Sequence, residues 1–364
     1  MQHKDHFHGS DLEIIEKIYG ISRDSITSFS ANVNPLGISG LLRETLASHI
    51  DVITSYPDRE YTSLRRAIAA YAGTVPEHVL VGNGSTELIS LAIQIREPKK
   101  ALILGPTYSE YERAVELCGG RSRYFPLPEE DDFRLDVNAL ASKITPEIDL
   151  LILCNPNNPT SSHIPSSDMR RILDLCLARG VFVLVDETYV EFAESPELIT
   201  SVPLTRWYNN LLVLRGVSKF FAAPGLRLGY AICGNADLLA EISKRKDPWS
   251  VSSLASTAGE IMFSDRDYIE KTRALIHTER IRITDILRGW SGVKTYPASA
   301  NFLLVRILRE GVTAMDLFEA AIRRGLMIRD CSTFPFLGPD YFRFCFMTPE
   351  KNDELLAVLE PYLK

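Results

Sequence analysis

Short runs of consecutive apolar residues recur through the first two-thirds of the chain: HVLVG (78–82), KALILG (100–105), IDLLILC (148–154), VFVLVD (181–186), NLLVLR (210–215) and RLGYAIC (227–233). Runs this short, without apolar–polar alternation, suit strands buried on both faces. Between several of them the period changes. YTSLRRAIAAYAG places Leu64, Ile68 and Tyr71 on one helical face with Gly73 as a stop, and SDMRRILDLCLARG has the same character. Strands alternating with amphipathic helices predict an α/β fold with a mainly parallel central sheet covered by helices.

A different rhythm begins near Pro248. YIEKTRALIHTERIRITDILRGW predicts one long amphipathic helix, followed by strand NFLLVRI, helix AMDLFEAAIRRG, a short LMIRD, loop CSTFPFLGPD, strand YFRFCF and a final helix. Such a mixture predicts a smaller α+β domain. The expected division is an N-terminal arm over 1–37 that belongs to the small domain, a large domain over 38–247, and the small C-terminal domain over 248–364. No internal repeat or low-complexity segment interrupts it.

Composition narrows the function classes. A chain of 364 residues suggests two domains at roughly 150 residues each, and 45% hydrophobic with 24% charged residues marks an ordered globular protein. Net charge is −7, and the densest basic cluster is Lys244 to Lys246. That leaves no footprint for nucleic acid or an anionic membrane, so the expected ligand is a small molecule. No apolar stretch approaches the roughly 18 residues of a membrane span, and the start lacks a signal-peptide core, which predicts a cytoplasmic protein. The six cysteines contain no CxxC pair and read as reduced core thiols. His3, His6 and His8 could form a metal cluster, but a frayed arm suits the first two better, and no metal is expected.

Ligands of a parallel sheet sit beyond the carboxyl ends of its strands. After HVLV come Gly82-Asn83-Gly84-Ser85-Thr86-Glu87, a glycine-bearing turn opening a helix, able to cradle a phosphate. Tyr108 follows the next run, Asn155-Pro156-Asn157-Asn158-Pro159 the third, Asp186 and Tyr189 the fourth, Lys219 and then Arg227 the fifth. Singly each has a bland reading: a turn, a core tyrosine, a helix-capping aspartate, a lysine whose stem lies on apolar neighbours. Of two sharper alternatives, the phosphate-loop NTPase fails and the nicotinamide enzyme is poorly supported. No G-x-x-x-x-G-K-[ST] accompanies Asp186-Glu187, and Glu87 stands where a dinucleotide fingerprint has its third glycine.

Together the strand ends supply the parts that pyridoxal phosphate requires. Lys219 would bond the aldehyde, and Asp186 would hold the pyridine nitrogen protonated so that the ring accepts electrons. Asn157 and Tyr189 would bond the ring oxygen, Tyr108 would stack, and Arg227 with the glycine turn would take the phosphate. An apolar setting lowers a lysine's pKa and makes it a better nucleophile and proton carrier.

NPNNPTS, DETY and SKFFAAPGLRLGY resemble the signature segments of the fold-type I pyridoxal-phosphate enzymes, the class I/II aminotransferase superfamily, and the resemblance runs over nearly the whole chain. It implies that Lys219 carries the cofactor, with Gly84, Ser85, Thr86, Tyr108, Asn157, Asp186, Tyr189, Ser218 and Arg227 around it. It also implies that Tyr56, in SYPDREY, reaches the partner subunit's cofactor phosphate, hence a homodimer. Gly216 replaces the usual hydroxyl residue three before the lysine, and Ser161 replaces a usual glycine.

HGSDLEIIEKIYGI, SFSANVNPLG, DPWSVSSLA and IRDCSTFPFLGPDYFRF further resemble the L-threonine-O-3-phosphate decarboxylases of cobalamin biosynthesis. Histidinol-phosphate aminotransferases typically read NENPYG where this chain has Asn32-Val33-Asn34-Pro35-Leu36-Gly37. Ser10 and Met347 depart from the decarboxylase pattern. The implied substrate is a small phosphorylated amino acid. Arg343 would clamp a carboxylate or phosphate, with Arg329, His8 and Asn32 as candidates for the other anionic contacts. The implied product is (R)-1-amino-2-propanol O-2-phosphate with carbon dioxide. Transamination remains the rival outcome, since the Cα bond held perpendicular to the ring decides the reaction. Arg343 could instead be a structural ion pair. A cofactor-binding regulator of this fold would need a DNA-binding domain, for which the chain is expected to have no room.

Overall fold

A computed structural model describes residues 11–364; the expectations for His3, His6, His8 and Ser10 fall outside them. Strand β1 is the two-residue Thr27–Ser28. The central sheet comprises β2 (Val79–Asn83), β3 (Lys100–Gly105), β4 (Arg121–Pro126), β5 (Leu150–Cys154), β6 (Phe182–Asp186), β7 (Leu211–Gly216) and β8 (Leu228–Ile232). Their spatial order is β2-β8-β7-β6-β5-β3-β4. Pairings from β4 through β7 are parallel, whereas β8 is antiparallel to both β7 and β2. Strands β2 to β7 therefore all point one way, and β8 alone is reversed.

Period-two alternation sorts this sheet's residues into two cores. Leu151, Leu153, Val183, Val185, Leu211 and Val213 share one, with Leu64 and Ile68 from helix Thr62–Ala72 and Met169 from helix Ser166–Ala178. Leu150, Ile152, Leu184, Leu212 and Leu214 join the other, beneath helices Gly84–Arg96, Glu110–Leu117 and Ala236–Arg245. Every residue of β5 to β8 is buried, which is why those segments read as unbroken apolar runs. Strand β4 was absent from the sequence expectation. As an edge strand it exposes Arg121 and Arg123 and buries only Phe125, so no apolar run marks it.

Beyond Pro248 lie β9 (Val293–Thr295), β10 (Phe302–Ile307), β11 (Leu326–Met327), β12 (Arg329–Asp330) and β13 (Tyr341–Cys345). An antiparallel sheet of order β12-β13-β10-β9 packs with the 23-residue helix Arg266–Arg288 and the last helix, Pro349–Leu363. The short LMIRD segment is two strands rather than one. Leu326 and Met327 pair in parallel with Thr27 and Ser28 of the arm, while Arg329 and Asp330 join β13.

One ion pair is sealed inside. Arg215 of β7 donates through Nε (3.1 Å) and Nη2 (2.8 Å) to Glu187 Oε2, which also accepts from Thr200 Oγ1 at 2.8 Å. Both partners are buried. Removing one leaves the other charge without compensation. Arg215→Ala is expected to destabilise the fold by about 3–5 kcal/mol, read as a lowered denaturant midpoint, whereas a surface change such as Arg288→Ala should leave the midpoint nearly unmoved.

Candidate active site

Because β2 to β7 share a direction, their carboxyl ends open onto one edge of the sheet. Reversal of β8 brings its first residues, and Arg227 just before them, to that same edge. A cavity of about 350 Å³ lies there. The strand ends contribute Ser85, Thr86, Tyr108, Asp186, Tyr189 and Lys219, with Gly84, Ser218 and Arg227 beside them. Asn32 enters from the arm, and Arg329 and Arg343 from β12 and β13.

The phosphate-sized end is built around Gly84. Its φ is +76°, and a Cβ there would come within 2.3 Å of Arg227 Nη2. Only glycine lets the guanidinium approach this closely. Helix Gly84–Arg96 begins at this point with no side-chain cap, so its first amides face the cavity end together with the Ser85 and Thr86 hydroxyls. Gly216 is roomier. A Cβ would meet Ser85 Oγ at an ordinary 3.7 Å, so no steric demand requires glycine there.

Asp186 ends β6 and is buried. Its Oδ2 accepts from the Tyr111 hydroxyl at 2.7 Å, and its Oδ1 accepts from the Thr188 amide at 2.9 Å and hydroxyl at 2.5 Å. Burial raises the carboxyl's pKa, and these hydrogen bonds oppose it. The donors fix the carboxylate's plane. Tyr111 also stands edge-on to Tyr108, with ring centroids 5.6 Å apart, and burial pushes the Tyr108 hydroxyl up to about 12.

Lys219 follows β7 and donates from Nζ to the Ala31 carbonyl at 2.7 Å. Burial, then the nearby positive charge of Arg343, and to a lesser degree that of Arg227, lower its pKa to about 8. Its backbone is tied too. The Asn34 amide donates to the Lys219 carbonyl at 3.0 Å, and Asn34 Nδ2 donates to the Phe220 carbonyl at 2.8 Å. Arg343 is buried; Nη2 donates to the Ser30 carbonyl at 2.8 Å and Nη1 to Asn158 Oδ1, while Nε has no partner among the described residues. Arg329 Nη2 donates to Thr333 Oγ1 at 3.1 Å.

Three expectations need correction. Asn157 does not line the cavity: its Nδ2 donates to the Pro106 carbonyl and Thr160 Oγ1, both at 2.8 Å, and its Oδ1 accepts from Thr107 at 2.9 Å. The turn spends that amide on its own packing and presents Asn158 instead. Asn32 does line the cavity, but its Nδ2 donates to Tyr189 Oη at 3.3 Å, leaving a buried Oδ1 without a partner among the described residues. That oxygen is an acceptor and suits an N–H or O–H better than an anion. Among the described residues Arg343 forms no structural ion pair, since its partners are neutral oxygens. Tyr56 stands on the surface against Trp249, ring centroids 4.9 Å apart, away from this chain's cavity. His8 lies outside the described residues. Sequence reasoning missed Tyr111 and Thr188; the threonine between Asp186 and Tyr189 in DETY was the available signal.

The description "Aminotransferase class I and II" matches residues 24–359. This chain belongs to the class I and II aminotransferase family. Among its curated relatives, a Caldanaerobacter subterraneus protein provisionally named a threonine-phosphate decarboxylase is 38% identical, covering 90% of this chain and 88% of its own. The threonine-phosphate decarboxylase of Salmonella typhimurium is 33% identical, covering 98% and 96%. Among solved structures, the histidinol-phosphate aminotransferase of Clostridium acetobutylicum superimposes with a TM-score of 0.86 at 30% identity, covering 92% of this chain and 98% of that one.

Pyridoxal phosphate is the cofactor of this aminotransferase family, and the cavity's residues fit it. A glycine that admits Arg227 beside an uncapped helix start suits a dianion, a buried carboxylate suits a protonated pyridine nitrogen, and an amine of lowered pKa suits an aldehyde. The lysine offers a direct check. In cofactor-free protein, acylation of Lys219 followed by mass spectrometry should rise with pH through a midpoint near 8, against about 10.4 for an exposed lysine. The fold should respond in step. The folded-state pKa lies below the unfolded value of 10.5, so the unfolded chain binds more protons between them, and this lysine's burial penalty is relieved as pH rises from 8 toward 10.5.

Proposed function

We propose that the protein is a pyridoxal-phosphate-dependent lyase that decarboxylates L-threonine O-3-phosphate to (R)-1-amino-2-propanol O-2-phosphate and carbon dioxide in cobalamin biosynthesis. One observation carries the reading. Besides Arg227 at the cradle, the cavity holds two further arginines, Arg329 and Arg343, whose hydrogen-bond partners among the described residues are neutral oxygens. Two guanidinium groups without carboxylate partners call for a substrate with two anionic groups, and a phosphorylated amino acid has a carboxylate and a phosphate. The decarboxylase names of the relatives at 38% and 33% identity support the same choice.

The cofactor supplies an electron-accepting ring to the substrate's Cα. Arg227, Ser85, Thr86, Ser218 and the amides after Gly84 would hold its phosphate, Asp186 its ring nitrogen, Tyr189 and Asn158 its ring oxygen, and Tyr108 its face. Tyr111 and Thr188 would keep the Asp186 carboxylate oriented. Arg343, anchored on Ser30 and Asn158, would clamp one substrate anion and Arg329 the other. Their placement selects which Cα bond aligns with the ring's π system. With a pKa near 8, Lys219 can give or take a proton at Cα close to neutral pH.

The same reading includes a cytoplasmic homodimer and the division into an arm (1–37), large domain (38–247) and small domain (248–364). Tyr56 at 81% exposure, beside the half-exposed Trp249, supports a partner face, and the pairing of Thr27–Ser28 with Leu326–Met327 supports joining the arm to the C-terminal part. No helix among the described residues is long and apolar enough to cross a membrane.

The rival is an aminotransferase such as one for histidinol phosphate, which the 0.86 TM-score match at 30% identity favours. Incubation with L-threonine O-3-phosphate is expected to release carbon dioxide with no keto acid present; turnover that requires 2-oxoglutarate would assign the protein to the rival. Lys219→Ala should abolish the visible absorbance of the bound cofactor, and retention of the native band would remove Lys219 from its role. Arg343→Ala should lower kcat/KM by about 100-fold, equivalent to about 3 kcal/mol.

A further inference from the structure

Phe336 occupies the loop between β12 and β13 with φ +70°, a left-handed backbone that a bulky residue adopts only where its surroundings hold it. Although 57% exposed, its ring is seated. It meets Tyr124 edge-on with centroids 5.9 Å apart, and it lies so near Gly105 that a Cβ there would come within 2.8 Å of it. Gly105 and Tyr124 stand near the carboxyl ends of β3 and β4, and Tyr124 is itself fixed by donating to Glu112 Oε2 at 3.1 Å. A ring from the small sheet's loop is thus docked on the edge of the central sheet.

The residues just before that anchor face the cavity. Thr333 accepts from Arg329 at 3.1 Å, and the Phe334 ring lies 5.5 Å from the Arg329 guanidinium carbon. Phe334 and Leu337 close the loop on itself, their amides donating to the carbonyls of Cys331 (3.0 Å) and Phe334 (3.1 Å). Arg329 therefore takes its contacts from a loop that is buried at Leu337 and that reaches the edge of the central sheet through the Phe336 ring's seat on Gly105 and Tyr124.

We propose that Phe336 is a positioning residue: seated on Gly105 and Tyr124, it latches the 331–337 loop over the cavity and so aims Arg329 at a substrate anion. The substrate part rests on the proposed function; the latch does not. The test uses the holoenzyme and an arginine-specific dicarbonyl reagent, with labelling at each arginine followed by mass spectrometry. In Phe336→Ala, Arg329 should label about tenfold faster than in the wild type, Arg343 at an unchanged rate, and Phe336→Leu should fall between. Gly105→Ala, which displaces the ring from the other side, should act as Phe336→Ala does, and the double variant should be no faster than either. Unchanged labelling of Arg329 in Phe336→Ala overturns the latch. So does equal acceleration at Arg343, which would mark general loosening.

Titration of the cofactor's absorbance with L-threonine O-3-phosphate should show about tenfold weaker binding in Phe336→Ala with the resting band unaltered. Faster labelling with undiminished ester affinity overturns the positioning role. A wild-type enzyme that gives no response to the ester overturns the substrate reading instead, and labelling then decides the latch alone.

Discussion

Lys219, Arg227, Arg329 and Arg343 face one cavity against a single lining carboxylate among the described residues, Asp186. Like charges gathered out of bulk water repel strongly, and the repulsion is visible in the lowered pKa values of Lys219 and Arg329, where Arg343 adds to the effect of burial. Several arginines elsewhere are paired with carboxylates, Arg215 with Glu187, Arg282 with Glu279 and Asp353, Arg306 with Glu129 and Asp340, whereas the buried Arg280 donates to the Phe192 and Ala300 carbonyls. Within the cavity the acceptors are the carbonyls of Ala31, Pro224 and Ser30, the Asn158 amide and the Thr333 hydroxyl. Neutral acceptors orient a cation without cancelling it. The site is thus held in a geometry suited to anionic groups.

Arg329 and Arg343 come from the small sheet, whereas the share of that charge carried by Lys219 and Arg227 is a consequence of strand direction. A parallel run from β4 to β7 brings successive carboxyl ends to one edge, and the reversal of β8 adds the residue before it. Were β8 parallel to β7, Arg227 would emerge at the opposite edge and Gly84 would have no guanidinium to accommodate. The requirement at Gly84 and the reversal of β8 are therefore two aspects of one arrangement, joined where a Cβ on Gly84 would fall 2.3 Å from Arg227 Nη2.

Much of this was legible because the central strands are buried on both faces, which writes each as an apolar run whose next polar residue stands at the ligand edge. Legibility failed where one face or one turn decided the outcome. Strand β4 lies at an edge and carries arginines on its exposed positions, so its composition matches a loop. In NPNNP two adjacent asparagines are equivalent as text, and only the path of the turn sends Asn157 into packing and Asn158 into the cavity. Tyr111 sits on an amphipathic helix, where a tyrosine that orients a carboxylate looks like any core tyrosine. Phe336 reads as a loop aromatic until its backbone angle and the bare Cα of Gly105 are seen together.

The arm imposes an order on all of this. Ala31 holds the amine of Lys219 across a separation of 188 residues and Asn34 holds the next carbonyl, that of Phe220, across 186, and Asn34 also reaches Tyr268 and Thr272 of the long helix at 2.9 and 2.8 Å. Contacts this distant in sequence form late, after the loop-closure entropy of the intervening chain has been offset by the sheet. Until the arm docks, Lys219 lacks its acceptor, Arg343 lacks Ser30, and Tyr189 lacks Asn32. The central sheet can bring Asp186, Lys219 and Arg227 to one edge, but it cannot orient them, and it does not carry Arg329 or Arg343. Competence of the site is thus tied to completion of the tertiary fold, which keeps a reactive amine from being presented by a half-folded chain.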